Sequence, residues 1–268
     1  MPELPEVEAV RRRIEPFALG RTVVAAHFLR PRIVPTGSAR QIERFVTGRS
    51  ITCVSRRAKN LLFHFDDSAV RIHLRMTGDL VPCHDVRLFP LTTRLIFEFD
   101  KRAGILFTDP RALGRVELLD AKGLEALNRS LGPEPLSPQF TPALLASAAR
   151  RSRLPAKLFL MNQAAIAGIG NIYAAEILFA ARIDPARKMN GLSFARLERL
   201  HTAIQETLQA ATSHAEITYA APGHFIETAG FQLSVYGRVG ERCLRCDRSI
   251  RRITQGARST YYCPGCQR

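Results

Sequence analysis

Residues 243–266 read CLRCDRSIRRITQGARSTYYCPGC, and the four cysteines in that stretch decide how the end of the chain folds. Cys243 and Cys246 form one C-x2-C pair and Cys263 and Cys266 the other, with sixteen residues between them. Tetrahedral zinc takes four thiolates, and two such knuckles on a hairpin supply them. Four protein ligands leave no open position for water, so one such Zn2+ is structural. A disulfide pairing is the competing reading, and a reducing compartment disfavours it. Within and between the pairs stand Arg245, Arg248, Arg251, Arg252 and Arg258, with only Asp247 opposing them. A hairpin that presents guanidinium groups suits phosphates and base edges. Cys53 and Cys83 fit no such pattern and read as ordinary core or surface residues.

The charge of the whole chain agrees with that hairpin. Across 268 residues, Lys+Arg 39 against Asp+Glu 24 gives a formal +15 at pH 7. That excess favours polyanionic partners, nucleic acid ahead of a membrane surface. Hydrophobic residues make up 46%, which rules out a disordered tail and supports real cores. No apolar run approaches the roughly 20 residues that span a bilayer, and the start lacks a secretory hydrophobic segment. A cytoplasmic protein is expected.

Working back from the finger, Ser193 reads as the N-cap of a helix with Phe194, Leu197, Leu200, Ile204 and Leu208 at helical spacing. The stretch LGPEPLSPQFTP, 131–142, carries four prolines and no periodicity, which marks a linker. Before it, up to about Asp120, the hydrophobic period is two. Val70, Ile72, Leu74 and Met76 alternate with Arg71, His73 and Arg75, and Leu95, Phe97 and Phe99 alternate as well. GILFTD and GRVELL read as further strands of an antiparallel β domain. A first helix is predicted from about Leu4 to Leu19, with Val7, Val10, Ile14 and Phe17 on one face and Gly20 ending it.

The chain opens MPELPEVEAVRRR. Proline and glutamate suit a helix start, where a missing N–H costs nothing and a negative charge meets the helix dipole. A second reading requires removal of Met1, which turns the Pro2 nitrogen into a free secondary amine. An α-amine titrates at roughly 7.7–8.0, so part of it is unprotonated near neutrality and able to form an iminium.

Three further stretches carry candidate residues. In AGIGNIYAAEILFAARI a Gly-rich turn delivers Asn171 to a helix start, after a helix around Leu154–Met161. Such a terminus is a natural phosphate site, and Lys157 lies close enough in sequence to share it. HLRMTGD and TDPRALGR each look like a strand end and a turn. A protein that everts a base must fill the hole and satisfy the orphaned partner, and an apolar wedge (Met76, Leu113) with a guanidinium (Arg111) does both. Lys59, in RRAKNLLF, is placed to reach a phosphate or to remain a surface charge.

Taken together, PELPEVE, RRAKNLLF, HLRMTG, TDPR, LGPEPL, GIGNIYAAE, VYGR and the four-cysteine finger resemble the formamidopyrimidine-DNA glycosylase/endonuclease VIII family, in its order and over nearly the whole chain. PELPE favours the formamidopyrimidine glycosylase branch. The resemblance implies an α+β protein: an N-terminal helix plus antiparallel β-sandwich (1–130), the linker (131–142), a helix–two-turn–helix domain (143–234) and a zinc finger (235–268). It implies a bifunctional glycosylase and AP lyase of base excision repair, working as a monomer on damaged double-stranded DNA held between the halves, in a bacterial-type cytosol. Carried over, Pro2 is the nucleophile at C1′, Glu3 the proton shuttle and Glu6 its support at the helix start. Lys59, His73, Asn171 and Arg258 grip phosphates around the lesion, and β,δ-elimination follows. Expected substrates are 8-oxoguanine, formamidopyrimidines and hydantoins. Endonuclease VIII-like specificity or a mainly abasic-site lyase is the alternative, and a zinc-finger DNA binder without catalysis is the reading from another class.

Three departures from the family pattern stand out. Leu113 replaces the usual Phe of the wedge, HAEITYAAPGHF (214–225) replaces the usual start of the lesion-covering loop, and Asn162 stands where Asp is common.

Overall fold

Glu3 opens helix α1 (Leu4–Ala18) in extended backbone, as the opening motif predicts. Glu3 and Glu6 close a reciprocal capping box in which Glu6 Oε2 accepts the Glu3 N–H at 2.8 Å. Two orphan donors of the first turn are thereby satisfied. Val7, Val10 and Ile14 are fully buried, each contributing roughly 1.5–3 kcal/mol before entropy is counted. Phe17, expected on the same face, is only partly buried. Pro16 removes a hydrogen bond from the last turn, and Gly20 at φ +75° turns the chain away. The computed structural model describes residues 1–221, 228 and 231–268.

Eight strands follow: β1 (Ala25–Phe28), β2 (Cys53–Arg57), β3 (Asn60–Phe65), β4 (Ser68–His73), β5 (Asp79–Cys83), β6 (Thr93–Glu98), β7 (Gly104–Thr108) and β8 (Arg115–Leu119). They pair antiparallel in two four-stranded sheets, β1-β6-β7-β5 and β2-β3-β4-β8. Leu61, Phe63, Phe65, Val70 and Ile72 of one sheet share a core with Leu95, Phe97, Ile105 and Phe107 of the other and with the inner face of α1. The period-two pattern is thus one wall of a sandwich per strand. A helix that the alternation did not suggest, α2 (Ala39–Val46), interrupts the strands. It is too short for periodicity to stand out, although the Ser38 side chain caps it by accepting the Gln41 N–H at 3.1 Å. Helix α3 (Ala121–Ser130) follows β8.

Beyond it come α4 (Pro142–Arg150), α5 (Ala156–Met161), α6 (Asn171–Ala180), α7 (Phe194–Thr218) and a hairpin of β9 (Arg251–Gln255) and β10 (Arg258–Tyr262). Leu197, Leu200, Ile204 and Leu208 of α7 are buried as predicted, but Phe194 at its first position is exposed. The chain divides into two units, Met1–Arg129 with Thr212–Gly230, and Ser130–Ala211 with Phe231–Arg268. Within the first, Ala215 and Tyr219 pack on Ala9 of α1. Among the described residues no helix is long and apolar enough to cross a membrane.

Candidate functional site

In the first unit the chain's start is a buried, charged place. Pro2, Glu3, Glu6 and Lys59 are all buried. Burial holds the Met1 amine below the usual α-amine range, and the Lys59 charge pushes the same way, while Glu3 and Glu6 oppose both. Two carboxylates and one ammonium therefore act on the terminal nitrogen. With Met1 attached, the Pro2 nitrogen is an amide.

Sheet register brings the next residues into line. Arg57 pairs with Asn60, so Ala58 and Lys59 form the turn between β2 and β3, Ala58 taking φ +54°. Asn60 lies opposite His73, and His73 opposite Arg115. Lys59 and His73 thus share one end of the β2-β3-β4-β8 sheet. His73 Nδ1 accepts the Arg75 N–H at 3.0 Å. Burial lowers its pKa to about 3, with Arg75, Lys59 and Arg71 adding to the shift. The imidazole is neutral at working pH, with its proton on Nε2 as a donor rather than a cation. The loops 74–78 and 109–114 leave the sandwich from β4 and β7, and carry Met76 (40% exposed) and Leu113 (43% exposed) with an exposed Arg111.

The second unit holds the other predicted residues. Gly170 is the N-cap of α6 and Asn171 its first helical residue. The preceding turn is clamped by Gln163, whose Nε2 donates to Met161 O and Ile169 O while its Oε1 accepts the Gly168 N–H at 2.9 Å. Asn171 Nδ2 donates to the Tyr236 hydroxyl at 3.3 Å, and its buried Oδ1 has no partner among the described residues. Tyr236 is held there by Glu176, whose carboxylate accepts the N–H groups of Ser234, Val235 and Tyr236 at 2.8–3.0 Å. Gln163 and Glu176 escaped the sequence reading; the one signal for Glu176 was a lone carboxylate in the apolar helix NIYAAEILFA.

Lys157 corrects an expectation. It is 1% exposed, and its ammonium donates to Ser259 O and Thr260 Oγ1, each at 3.1 Å. It pins α5 to β10 and is not open to a phosphate. Arg258 does stand exposed, at the start of β10 after a turn in which Gly256 and Ala257 both have positive φ. Arg251 and Arg252 are exposed with it, whereas Arg245 lies over the Phe179 ring at 4.3 Å and donates to Phe179 O.

Asn162 Oδ1 accepts the Ala164 N–H at 3.1 Å, a bond that an Asp carboxylate at this position would also accept. Of the stretch 214–225, residues up to Thr218 extend α7, and 222–225 lie outside the described residues.

The four cysteine Sγ atoms lie within 4.8 Å of one another, with Cys243–Cys266 at 3.8 Å and Cys246–Cys263 at 3.4 Å. A disulfide needs about 2.05 Å, while tetrahedral zinc with Zn–S near 2.3 Å sets its sulfurs roughly 3.8 Å apart. The backbone N–H of Arg248 draws the Cys246 thiol down to about 7, and burial pushes Cys266 up to about 12. The donor set fits one structural zinc, held by Cys243, Cys246, Cys263 and Cys266. Cys53 and Cys83 are also free, and Cys83 Sγ donates to Asp85 O.

A capped N-terminal helix on a β-sandwich, a multi-helix unit and a basic cysteine finger define the class of zinc-finger proteins built on a helix–two-turn–helix. Three family models match: the formamidopyrimidine-DNA glycosylase N-terminal domain over residues 1–116, the formamidopyrimidine-DNA glycosylase H2TH domain over 131–221, and the zinc finger found in FPG and IleRS over 240–268. The chain belongs to the formamidopyrimidine-DNA glycosylase family. It is 40% identical over 271 residues to the formamidopyrimidine-DNA glycosylase of Chloroflexus aurantiacus, covering 100% of this chain and 98% of that protein. It is also 40% identical over 280 residues to the protein of the same name from Burkholderia cenocepacia, covering 100% of both. Among solved structures, the Lactococcus lactis enzyme bound to DNA containing an abasic site matches with a TM-score of 0.88 at 33% identity, covering 99% of each chain. The same enzyme in complex with Fapy-dG DNA matches with a TM-score of 0.87, at the same identity and coverage.

Proposed function

We propose that this chain is a bifunctional DNA glycosylase and AP lyase of base excision repair. Its substrate is damaged double-stranded DNA carrying oxidised bases, among them formamidopyrimidines, 8-oxoguanine and hydantoins. The observation that carries the mechanism is the chain's start, where a buried Glu3–Glu6 capping box and Lys59 surround a terminal amine held below its usual range. Removal of Met1 makes the Pro2 nitrogen a free secondary amine at the same buried helix start. Its nitrogen lone pair attacks C1′ of the damaged nucleotide, and the base leaves with its bonding pair. Glu3 protonates the opening sugar ring, and Glu6 keeps Glu3 in place. The resulting iminium acidifies the C2′ proton, which the Glu3 carboxylate takes, so β-elimination breaks the bond from C3′ to its phosphate oxygen. Loss of the C4′ proton then lets δ-elimination break the bond from C5′ to its phosphate oxygen. Water then hydrolyses the adduct and returns the amine.

On the bound DNA, Lys59, neutral His73, Asn171 and Arg258 hold phosphates, while Met76, Arg111 and Leu113 occupy the space left by the everted base. Zinc, when bound, supplies cross-linking that keeps the Arg258 hairpin folded. In this division residues 1–130 carry catalysis, 143–234 and 235–268 bind DNA, and 131–142 join them. The chain acts as a monomer on DNA in a bacterial cytosol.

The test is to trap the protein on abasic-site duplex with borohydride, once starting at Pro2 and once with Met1 retained. The Pro2 form should be trapped and the blocked form should not; equal trapping would remove Pro2 as the nucleophile. Glu3→Gln should lower base excision by roughly 10²–10⁴-fold with DNA affinity little changed. Excision within a few-fold of wild type would remove Glu3 from its role.

A further inference from the structure

Strands β5 and β7 pair antiparallel with Asp79 opposite Thr108, so the chain just before β5 and just after β7 emerges side by side. Asp109, the first residue past β7, is 0% exposed. Its Oδ1 accepts the Thr77 hydroxyl from the first loop and the Arg111 N–H at 3.2 Å from its own. Its Oδ2 accepts the Gly114 N–H at 2.7 Å. A buried carboxylate is tolerated when hydrogen bonds replace its water, and here those bonds come from both loops at once.

Packing repeats the same pairing. A Cβ on Gly78 would lie 2.9 Å from the Phe107 ring, and one on Gly114 would lie 2.3 Å from the same ring. Both loops therefore close onto one buried side chain. The buried Arg94 fixes the second loop from behind, donating to Asp109 O at 2.7 Å and to Pro110 O at 3.2 Å. Arg75 (φ +57°) and Ala112 (φ +49°) take left-handed backbone, which non-glycine residues keep only when held.

We infer that Asp109 is a positioning residue which, through Thr77, locks loops 74–78 and 109–114 into one body, so that Met76, Arg111 and Leu113 enter a duplex together. The inference rests on the proposed wedge role of those side chains. Asp109 is too enclosed to touch substrate, so it acts only through the loops. Two loops ordered during folding insert without a further ordering cost when DNA is bound.

Thr77→Val removes the inter-loop hydrogen bond and keeps the side-chain shape, while Thr77→Ser keeps the hydroxyl. Three readouts are compared: fluorescence of 2-aminopurine beside the lesion as it unstacks, excision from duplex, and cleavage of a single-stranded abasic oligonucleotide, which needs no eversion. Thr77→Val should slow unstacking and duplex excision by about tenfold, the equivalent of one hydrogen bond to a charged group, with single-strand cleavage and zinc content unchanged. Thr77→Ser should restore both within about twofold, as its hydroxyl still reaches the carboxylate. Met76→Ala and Leu113→Ala should be strongly non-additive in the wild-type background and additive with Thr77→Val. If those alanine variants slow unstacking but Thr77→Val does not, the coupling is overturned and the wedge reading stands. If neither alanine variant affects unstacking, the wedge reading fails and the coupling falls with it. An equal loss on single strands would also overturn the inference, because the effect would then be general.

Discussion

Replacing His73 with Gln should make the first unit less sensitive to acid, although it removes no surface charge. His73 titrates near 3 in the folded chain against an ordinary 6.5, chiefly through burial. An unfolded chain therefore takes up this proton first as the pH falls. The stability it contributes is complete above 6.5 and is lost as the pH drops towards 3. One proton corresponds to about 1.4 kcal/mol per pH unit, so the full span sets a ceiling of roughly 5 kcal/mol. His73 is only partly buried, and water access brings the expected loss between pH 6.5 and 4.5 to about 2 kcal/mol. The Gln variant keeps an acceptor for the Arg75 N–H and does not titrate. The measurement is urea unfolding of both proteins across that range, followed by far-ultraviolet circular dichroism and by hydrogen exchange of β3 and β4. Acid loss of zinc from the finger is common to both chains and cancels in the difference. A wild-type minus variant difference flat within about 0.5 kcal/mol would refute the neutral, partly buried imidazole.

Other outcomes follow from the second unit. Lys157→Met leaves Ser259 O and Thr260 Oγ1 without their buried ammonium. It should loosen the finger by about 1–3 kcal/mol, read as faster zinc release to a chelator, from an initial content of one zinc per chain. A salt slope for DNA binding reduced by about one, with zinc release unchanged, would instead restore Lys157 as a phosphate contact. Arg258→Ala, at an exposed guanidinium, should weaken binding to abasic-site duplex and reduce that slope by about one, whereas His73→Gln should weaken binding at constant slope. Equal slopes for Arg258→Ala and wild type would remove Arg258 from the phosphate contacts.

The sequence by itself determined whatever depends on neighbours along the chain. The C-x2-C spacing brings Cys243 to Cys246 and Cys263 to Cys266 within the reach of a turn, so the finger was legible as a ligand set. Helix α1 was legible because Val7, Val10 and Ile14 repeat at helical period, and Pro5 and the glutamates mark its start. The sandwich strands were legible through alternation, whereas α2 has too few turns to show a period. Lys157 looked like a phosphate ligand because it lies near the Gly-rich turn in sequence; packing of α5 against β10 turned its ammonium inward. The neutral charge state of His73 follows from burial beside Arg75, Lys59 and Arg71, which no linear pattern records. Thr77 and Asp109 are 32 positions apart and meet only because β5 and β7 pair in one register. A strand shifted by one residue would turn each side chain to the other face, so that contact belongs to the sheet and not to either motif.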